Sequence, residues 1–358
     1  MKAGTNNDSV TNAMPGLLVA AITPSVDSAK GGVQEAWEWI KLRKIVRRQI
    51  DKFISLVPDT LRGGNLGAVT EMRITSRRLE QILDLLYPRP RPRRIKKLRR
   101  QLKACRRTLG KLRNYDALLT MVDECITTTG PSDGEAWKAV REYLEKLKVQ
   151  HAPAALEKLG RMNLTASYLK LKQDLDSEDL FRLVAGNGDL ANLKVDGGKN
   201  LITKRITTSL DHRWRAFEAA VEKSRNDPRE EVIHRMRIAA KRLRYLTEAM
   251  EKLHVNGSSE IVSWLQSFQR TVGRWHDREL LEHAMSDMLA KSGFCLGHPR
   301  LVQEVQKLIA RNHEAKEALE RKFSWMTSRS RHFNETREWV SQLLTNGNGN
   351  GANKATSH

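Results

Sequence analysis

Two similar segments carry most of the residues that could do chemistry, and those residues are cations. Val69–Glu80 reads Val-Thr-Glu-Met-Arg-Ile-Thr-Ser-Arg-Arg-Leu-Glu, and Ile233–Arg244 reads Ile-His-Arg-Met-Arg-Ile-Ala-Ala-Lys-Arg-Leu-Arg. A guanidinium binds two phosphate oxygens at once, whereas an ammonium acts as a point charge. A mixed Arg and Lys lining therefore suits a flexible chain of phosphate groups. The candidate binding residues in these segments are Arg73, Arg77, Arg78, His234, Arg237, Lys241, Arg242 and Arg244.

A third basic segment, Arg89–Arg113, contains thirteen Lys or Arg residues and no Asp or Glu. Prolines at positions 88, 90 and 92 end the preceding helix, so a new helix is predicted from about Arg93. Like charges one turn apart destabilise an isolated helix, so a cationic stripe without acids favours an external anion over a merely solvated face. The candidate residues on this stripe are Lys96, Arg100, Lys103 and Arg107.

The similar segments belong to an internal repeat. Val69–Glu80 and Ile233–Arg244 are offset by 164 residues, and Arg107-Thr108-Leu109-Gly110 matches Arg270-Thr271-Val272-Gly273 at an offset of 163. Two matches in the same order at nearly one offset indicate two copies of one unit. The second match adds Arg270 and Arg274 to the candidate binding residues. We expect the cationic stripes of the two copies to face one another across a basic groove or channel.

Apolar residues recur at helical spacing through both copies, and no alternating strand pattern is present. This predicts an all-α fold of about ten helices, in which the apolar residues form buried seams between packed helices. The first helix is predicted from Val33 to Val57, ending at Pro58. In the second copy, Asp227 and Pro228 predict a helix start by capping. The predicted domains are a first repeat over 33–185, a linker over 186–199 and a second repeat over 200–344, between disordered tails at 1–32 and 345–358.

Composition restricts the partners of the chain. It has 358 residues, a net charge of +21 and 39% hydrophobic residues. Such a charge attracts nucleic acid, polyphosphate and anionic membrane surfaces alike. No stretch is long and apolar enough to span a membrane, and no secretory signal is evident, so we expect a soluble intracellular protein without membrane insertion. The cysteines have no metal-binding spacing, and Cys105 sits at a core position, so no metal site, cofactor or disulfide is predicted.

Two histidines accompany the cations. His234 lies on the stripe of Arg237 and Lys241, where it is expected to donate a hydrogen bond to phosphate; proximity to a helix N-terminus should lower its pKa. His276 and Asp277 form either an orienting pair or a general base, and we favour a structural role. Nothing marks a catalytic residue: the sequence has no phosphate-binding Gly loop ending in Lys-Ser/Thr, and no paired carboxylates lie within the basic stripes.

The doubled Met-Arg-x-x-x-[Arg/Lys]-Arg-Leu motif, followed by a basic helix and a Leu/Val-Gly turn, resembles the CHAD domain, the conserved histidine α-helical domain. The resemblance covers residues from about Val33 to about Leu344. It implies two four-helix bundles related by pseudo-twofold symmetry around a basic pore, which binds inorganic polyphosphate and is often associated with polyphosphate granules. The family's histidine falls on His234 in the second copy, whereas the first copy has Thr70 at the matching position.

Two other functions remain open. A sequence-independent nucleic-acid-binding protein would interleave aromatic and basic residues for base stacking, but Arg89–Arg113 contains no aromatic residue. Weak binding through the nucleic-acid backbone stays open. An enzyme that acts on phosphate polymers is disfavoured by the missing motifs. The sequence does not specify the oligomeric state.

Overall fold

The computed structural model of the protein describes residues 26–63, 66–87, 90–128, 134–176 and 201–348. Within these ranges the chain forms twelve helices and no strand, which confirms the predicted all-α class. The helices are α1 (Val26–Arg62), α2 (Leu66–Leu86), α3 (Arg93–Thr108), α4 (Gly110–Thr128), α5 (Gly134–Gly160), α6 (Leu164–Asp176), α7 (Leu201–Asn226), α8 (Glu230–Lys252), α9 (Ser258–Leu289), α10 (Ser292–Gly297), α11 (Pro299–Ser328) and α12 (Arg331–Asn348). No helix in these ranges has the length and apolar character needed to cross a membrane.

The predicted apolar seams form the core. Met72 on α2, Leu102 on α3, Met236 on α8 and Phe268 on α9 have no exposed surface. Each comes from a helical repeat of apolar residues, so one face of the helix is buried and the cations beside it are left at the edge of the core. The Cys105 side chain is also buried, and burial raises the pKa of its thiol to about 12.

Both copies contribute to a common core. The larger of two buried clusters takes residues from α1–α3 and α6 in the first half and from α7–α9 in the second. Helix α2 packs against α8, α4 against α9, and α5 against α11. The pseudo-twofold relation between two separate bundles and the predicted domain boundaries stay predictions. The predicted linker at 186–199 lies outside the described residues.

Three predicted helix ends and one predicted turn are wrong. Helix α1 begins at Val26 and continues through Pro58 to Arg62, because a proline near the end of a helix interrupts only one hydrogen bond. Residues 26–32, which belong to the predicted N-terminal tail, lie in α1, and the remainder of that tail lies outside the described residues. Helix α12 likewise extends past Thr345 to Asn348, so the C-terminal tail is outside the described residues only from 349.

The other two corrections concern helix starts and turns in the second copy. Helix α8 begins at Glu230 rather than at Pro228, because the carboxylate of Asp227 accepts hydrogen bonds from Arg229, whose backbone is still extended. The match to Leu109-Gly110 predicted a turn at Gly273, but Gly273 lies inside the continuous helix α9. In the first copy Leu109 does separate α3 from α4.

Replacement of Phe268 by Ala is expected to destabilise the protein by about 3–5 kcal/mol, the usual cost of deleting a buried aromatic ring. The Phe268 ring lies 5.6 Å from that of Phe217 and 5.8 Å from that of Trp264, measured between centroids. Denaturant unfolding would measure the change. Leu169→Ala is the control, because Leu169 is 46% exposed and should cost less than about 0.5 kcal/mol. Equal effects of the two substitutions would contradict the assigned core.

Candidate polyanion-binding site

A cavity of about 550 Å³ lies where α2, α4, α8 and α9 meet. Helices from both halves line it, because the polar edge of each apolar seam is directed to this junction. Its lining is dominated by cations, with a single acid. The charged residues are Arg73, Arg77, Arg113, Arg237, Lys241, Arg244, Arg270, Arg274 and Asp277.

A second cavity of about 370 Å³ adjoins the first and reaches α3. Arg73, Arg77 and Lys241 line both cavities, so these three side chains mark the place where the two meet. The second cavity adds four further cations and one acid. These residues are Lys103, Arg106, Arg107, Arg242 and Glu80.

Lys241 stands among other cations. No carboxylate in the described residues forms an ion pair with Lys241 or Arg77. Burial lowers the pKa of the Lys241 ammonium well below its usual value, and the charges of Arg237, Arg77, Arg113 and Arg73 lower it further. A half-buried cation among other cations is costly without an anion, so this arrangement favours a bound anion.

The pKa values of two arginines of the motif, Arg73 and Arg237, are lowered in the same way. Burial and the charge of Arg77 lower the pKa of Arg73 to about 9. Arg73 also donates a hydrogen bond to the carbonyl oxygen of Arg106, which fixes its direction. Burial lowers the pKa of Arg237 to about 10, and the Nε atom of Arg237 has no hydrogen-bond partner. The site thus presents donors that the protein itself does not satisfy.

Asp277 holds one of the arginines in place. Its carboxylate accepts a hydrogen bond from Arg113 at 2.9 Å, and this contact joins α4 of the first half to α9 of the second. The same carboxylate partly offsets the lowering of the Arg237 pKa, but its hydrogen bond goes to Arg113. Asp277 is therefore best understood as the residue that positions Arg113 at the cavity wall.

A family model described as the CHAD domain matches residues 44–286. The chain belongs to the CHAD domain family. Its fold is similar to two solved structures. One is the crystal structure of the CHAD domain from the plant Ricinus communis, with a TM-score of 0.51, 16% identity and coverage of 89% of this chain and 93% of that one. The other is PptA from Streptomyces chartreusis, with a TM-score of 0.50, 15% identity and coverage of 80% of this chain and 98% of that one. No curated protein matches the chain.

The two histidines of this CHAD protein lie together in the first cavity. The ring centroids of His234 and His276 are 5.4 Å apart. Burial lowers the pKa of His234, and the charges of Arg237 and Lys241 lower it further. The predicted direction of the shift is confirmed. Its first cause is burial, whereas the sequence predicted the helix N-terminus. Burial, followed by the same cations, lowers the pKa of His276 to about 3.

His276 and Asp277 do not form the orienting pair considered from the sequence. The Nδ1 atom of His276 is buried and has no hydrogen-bond partner, whereas Asp277 is occupied by Arg113. The His276 ring instead lines the cavity, where an uncharged imidazole can offer a hydrogen bond to a ligand.

Eleven of the fourteen predicted binding residues line the two cavities. Eight line the first, namely Arg73, Arg77, His234, Arg237, Lys241, Arg244, Arg270 and Arg274. Lys103, Arg107 and Arg242 line the second. The Nε atom of Arg244 lies 3.4 Å from a carboxylate oxygen of Glu248, so the charge of Arg244 is partly neutralised.

The other three predicted residues lie outside the lining. Arg78 is paired with the buried Glu248 at 2.8 Å, because it follows Arg77 and is turned about 100° around α2 toward that acid. Lys96 and Arg100 are exposed on α3. Lys96 precedes Lys103 by about two helical turns and Arg100 by about one, which carries them away from the second cavity.

The sequence prediction missed part of the lining. Arg113, Gln266 and Gln269 line the first cavity, and Arg106 lines the second. Arg113 occupies the position that matches His276 in the repeat, so the offset of 163 could have indicated it. No sequence signal identifies the two glutamines, because uncharged side chains at helical spacing are common on any surface.

Part of the basic segment is neutralised inside the protein. Arg99 pairs with Asp84 at 2.8 Å and with Glu80 at 3.2 Å, and Arg106 pairs with Glu80. Arg91 also pairs with Asp84, at 3.0 Å, so three of the thirteen cations bind acids of α2. The expectation that the whole run lacks acidic partners is wrong, because the acids lie on another helix.

One group outside the cavities combines possible metal ligands. Single atoms of Glu230, Glu279 and His283 lie within 4.8 Å of one another. However, the ammonium of Lys316 lies 2.7 Å from the second oxygen of Glu279. That ammonium already supplies a cation to the cluster, so we assign no metal to it.

Replacement of His276 by Gln is expected to reduce the acid sensitivity of the protein. The folded state keeps His276 neutral down to about pH 3, whereas the unfolded chain binds a proton below about pH 6.5. The unfolded state therefore gains protons first, and the free energy of unfolding falls as the pH is lowered through this window. Between pH 6.5 and 4.5 the variant should lose about 1–3 kcal/mol less stability than the native protein.

Urea unfolding at a series of pH values would measure this difference. His212→Gln is the matched control, since His212 is exposed on α7. Parallel stability curves for the native protein and His276→Gln would show that His276 titrates normally.

Proposed function

We propose that this CHAD protein binds inorganic polyphosphate in the two adjoining cavities and does so without catalysing a reaction. The observation that carries the proposal is the group formed by Arg77, Arg237 and Lys241. These cations from both halves share one cavity, and no carboxylate of the described chain forms an ion pair with them. A bound anion would offset the cost of that arrangement.

The amount of charge favours a polymeric anion over a single phosphate. Together the two cavities are lined by twelve Lys or Arg residues and only two acids, Asp277 and Glu80. A single phosphate reaches only a few of these cations. A linear chain of phosphates can contact them in succession, and each charge-assisted contact contributes about 1.5–3 kcal/mol before ordering costs.

The lining disfavours single-stranded nucleic acid. Tyr245 is the only Phe, Trp or Tyr residue in either lining, and it is 4% exposed. The guanidinium of Arg244 lies 4.8 Å from the centre of its ring. A buried ring that is already covered by a guanidinium is not available as a platform for bases, which supports polyphosphate as the ligand.

The arrangement of acids supports binding without catalysis. Asp277 is held by Arg113, and Glu80 by Arg99 and Arg106, so neither is placed to hold a metal ion against a phosphate. Incubation with polyphosphate and Mg²⁺ or Mn²⁺ should release no orthophosphate, and release that is lost in His234→Ala would favour an enzyme. Association with polyphosphate granules would follow from such binding and stays a prediction.

Replacement of Arg77 by Ser is expected to lower the affinity for polyphosphate about 10- to 100-fold, because it removes a contact at the junction of the two cavities. Arg100→Ser is a matched control: it removes the same side chain and charge from an exposed site outside the lining. Its effect should stay within about twofold. Isothermal titration calorimetry at constant salt would measure both.

Equal losses in Arg77→Ser and Arg100→Ser would contradict the proposal, because the protein would then bind through its overall charge alone. Circular dichroism of both variants would confirm that neither substitution unfolds the helices.

A competition experiment should distinguish polyphosphate from RNA. Labelled long-chain polyphosphate bound to the protein is displaced by unlabelled polyphosphate or by single-stranded RNA at equal concentrations of phosphate groups. We expect RNA to be at least about tenfold less effective, because base stacking would not add its usual 1–3 kcal/mol, roughly, per base. RNA that competes equally well or better would favour the nucleic-acid-binding function.

A further inference from the structure

A third cavity, of about 530 Å³, lies between α2, α7 and α8. Gln81 and Arg242 line both this cavity and the second one, so the two adjoin. Helix α7 contributes Ser209 and His212, neither of which belongs to the predicted binding residues. The three cavities therefore form a continuous series along the contact between α2 and α8.

The one acid of the third cavity is already neutralised. Asp84 pairs with Arg91 at 3.0 Å and with Arg99 at 2.8 Å, and Arg213 lies 3.8 Å away. Arg213 also donates a hydrogen bond to the side chain of Gln81. Three guanidinium groups around one carboxylate leave a net positive charge at this wall, so the acid does not repel an approaching anion.

Three other residues of the lining carry donors that remain available. Arg242 and His212 are exposed, and neither forms an ion pair or side-chain hydrogen bond with any described residue. The hydroxyl of Ser209, which also has no hydrogen-bond partner in these ranges, lies on the same side of α7. A guanidinium, an imidazole N–H and a hydroxyl around a space that is open to solvent are suited to phosphate oxygens.

We propose that the third cavity is an extension subsite, in which Arg242, His212 and Ser209 bind phosphate groups of a chain that already occupies the first two cavities. This inference rests on the proposed function, since the same polyphosphate chain would extend from the first two cavities into the third. It has a specific consequence. Only a chain long enough to pass from the first cavity through the second reaches His212, so the subsite contributes to the binding of long chains and not of short ones.

The experiment compares long-chain polyphosphate with tripolyphosphate, using calorimetry on the full chain. In His212→Glu an acid faces the third cavity alone, since His212 lines neither of the other two. Its affinity for long-chain polyphosphate should fall about tenfold, the scale of one charge-assisted contact. Its affinity for tripolyphosphate should stay within about twofold, because the more cationic first cavity binds the short chain.

Thr203→Glu is the matched control. It adds the same charge to α7 at an exposed position, nine residues and about half a turn of the helix away from His212. Both affinities should stay within about twofold of the native values. A second variant, Ser209→Glu, should reproduce the effect of His212→Glu. Thermal unfolding would confirm that all three variants are folded.

Unchanged binding of long chains in both third-cavity variants would overturn the inference, and so would equal losses for long and short chains. In either case, sensitivity of binding to Arg77→Ser would leave the proposed function intact. If the native protein does not bind polyphosphate, both fail together.

Discussion

The structure depends on a repulsion that the protein does not relieve by itself. Arg73 and Arg77 of α2 face Arg237 and Lys241 of α8. Burial lowers the pKa values of Arg73, Arg237 and Lys241, and the charges of neighbouring arginines lower them further. Helices with like charges at their contact would separate in water. They are kept together by the apolar seams on either side, from Met72 and Leu79 to Met236 and Leu243, which are buried. Hydrophobic burial thus holds the cations where a ligand can use them.

The cations of the basic segments fall into two groups, those paired with acids and those that line the cavities. Cations that reach an acid on a neighbouring helix, such as Arg78 at Glu248 and Arg99 at Asp84, stabilise the packing of α2. Arg77, one position before Arg78 on α2, forms no ion pair with a described acid and lines both cavities instead. A shift of about 100° on the helix therefore separates an arginine that is paired with an acid from one that lines the cavities. The net charge of the protein does not show which arginines belong to either group.

Periodicity predicted the core well, because a helix must bury its apolar face whatever its partner is. Every seam residue named on α2, α3, α8 and α9 above is buried. The same reasoning could not decide which cations are neutralised, since the acids near Arg99 and Arg106 lie on α2, about 20 residues earlier in the chain. It also missed Arg113, whose position depends on Asp277 in the other half. Pairing between helices is a tertiary property, which no single-helix pattern contains.

The two similar halves are parts of one chain and share one core. Two separate subunits with these facing cations would have to associate against electrostatic repulsion, and their pairing would weaken on dilution. Covalent linkage makes the encounter intramolecular, so assembly does not depend on protein concentration. A single chain thus permits a cationic surface that a freely dissociating dimer would be slow to form and quick to lose.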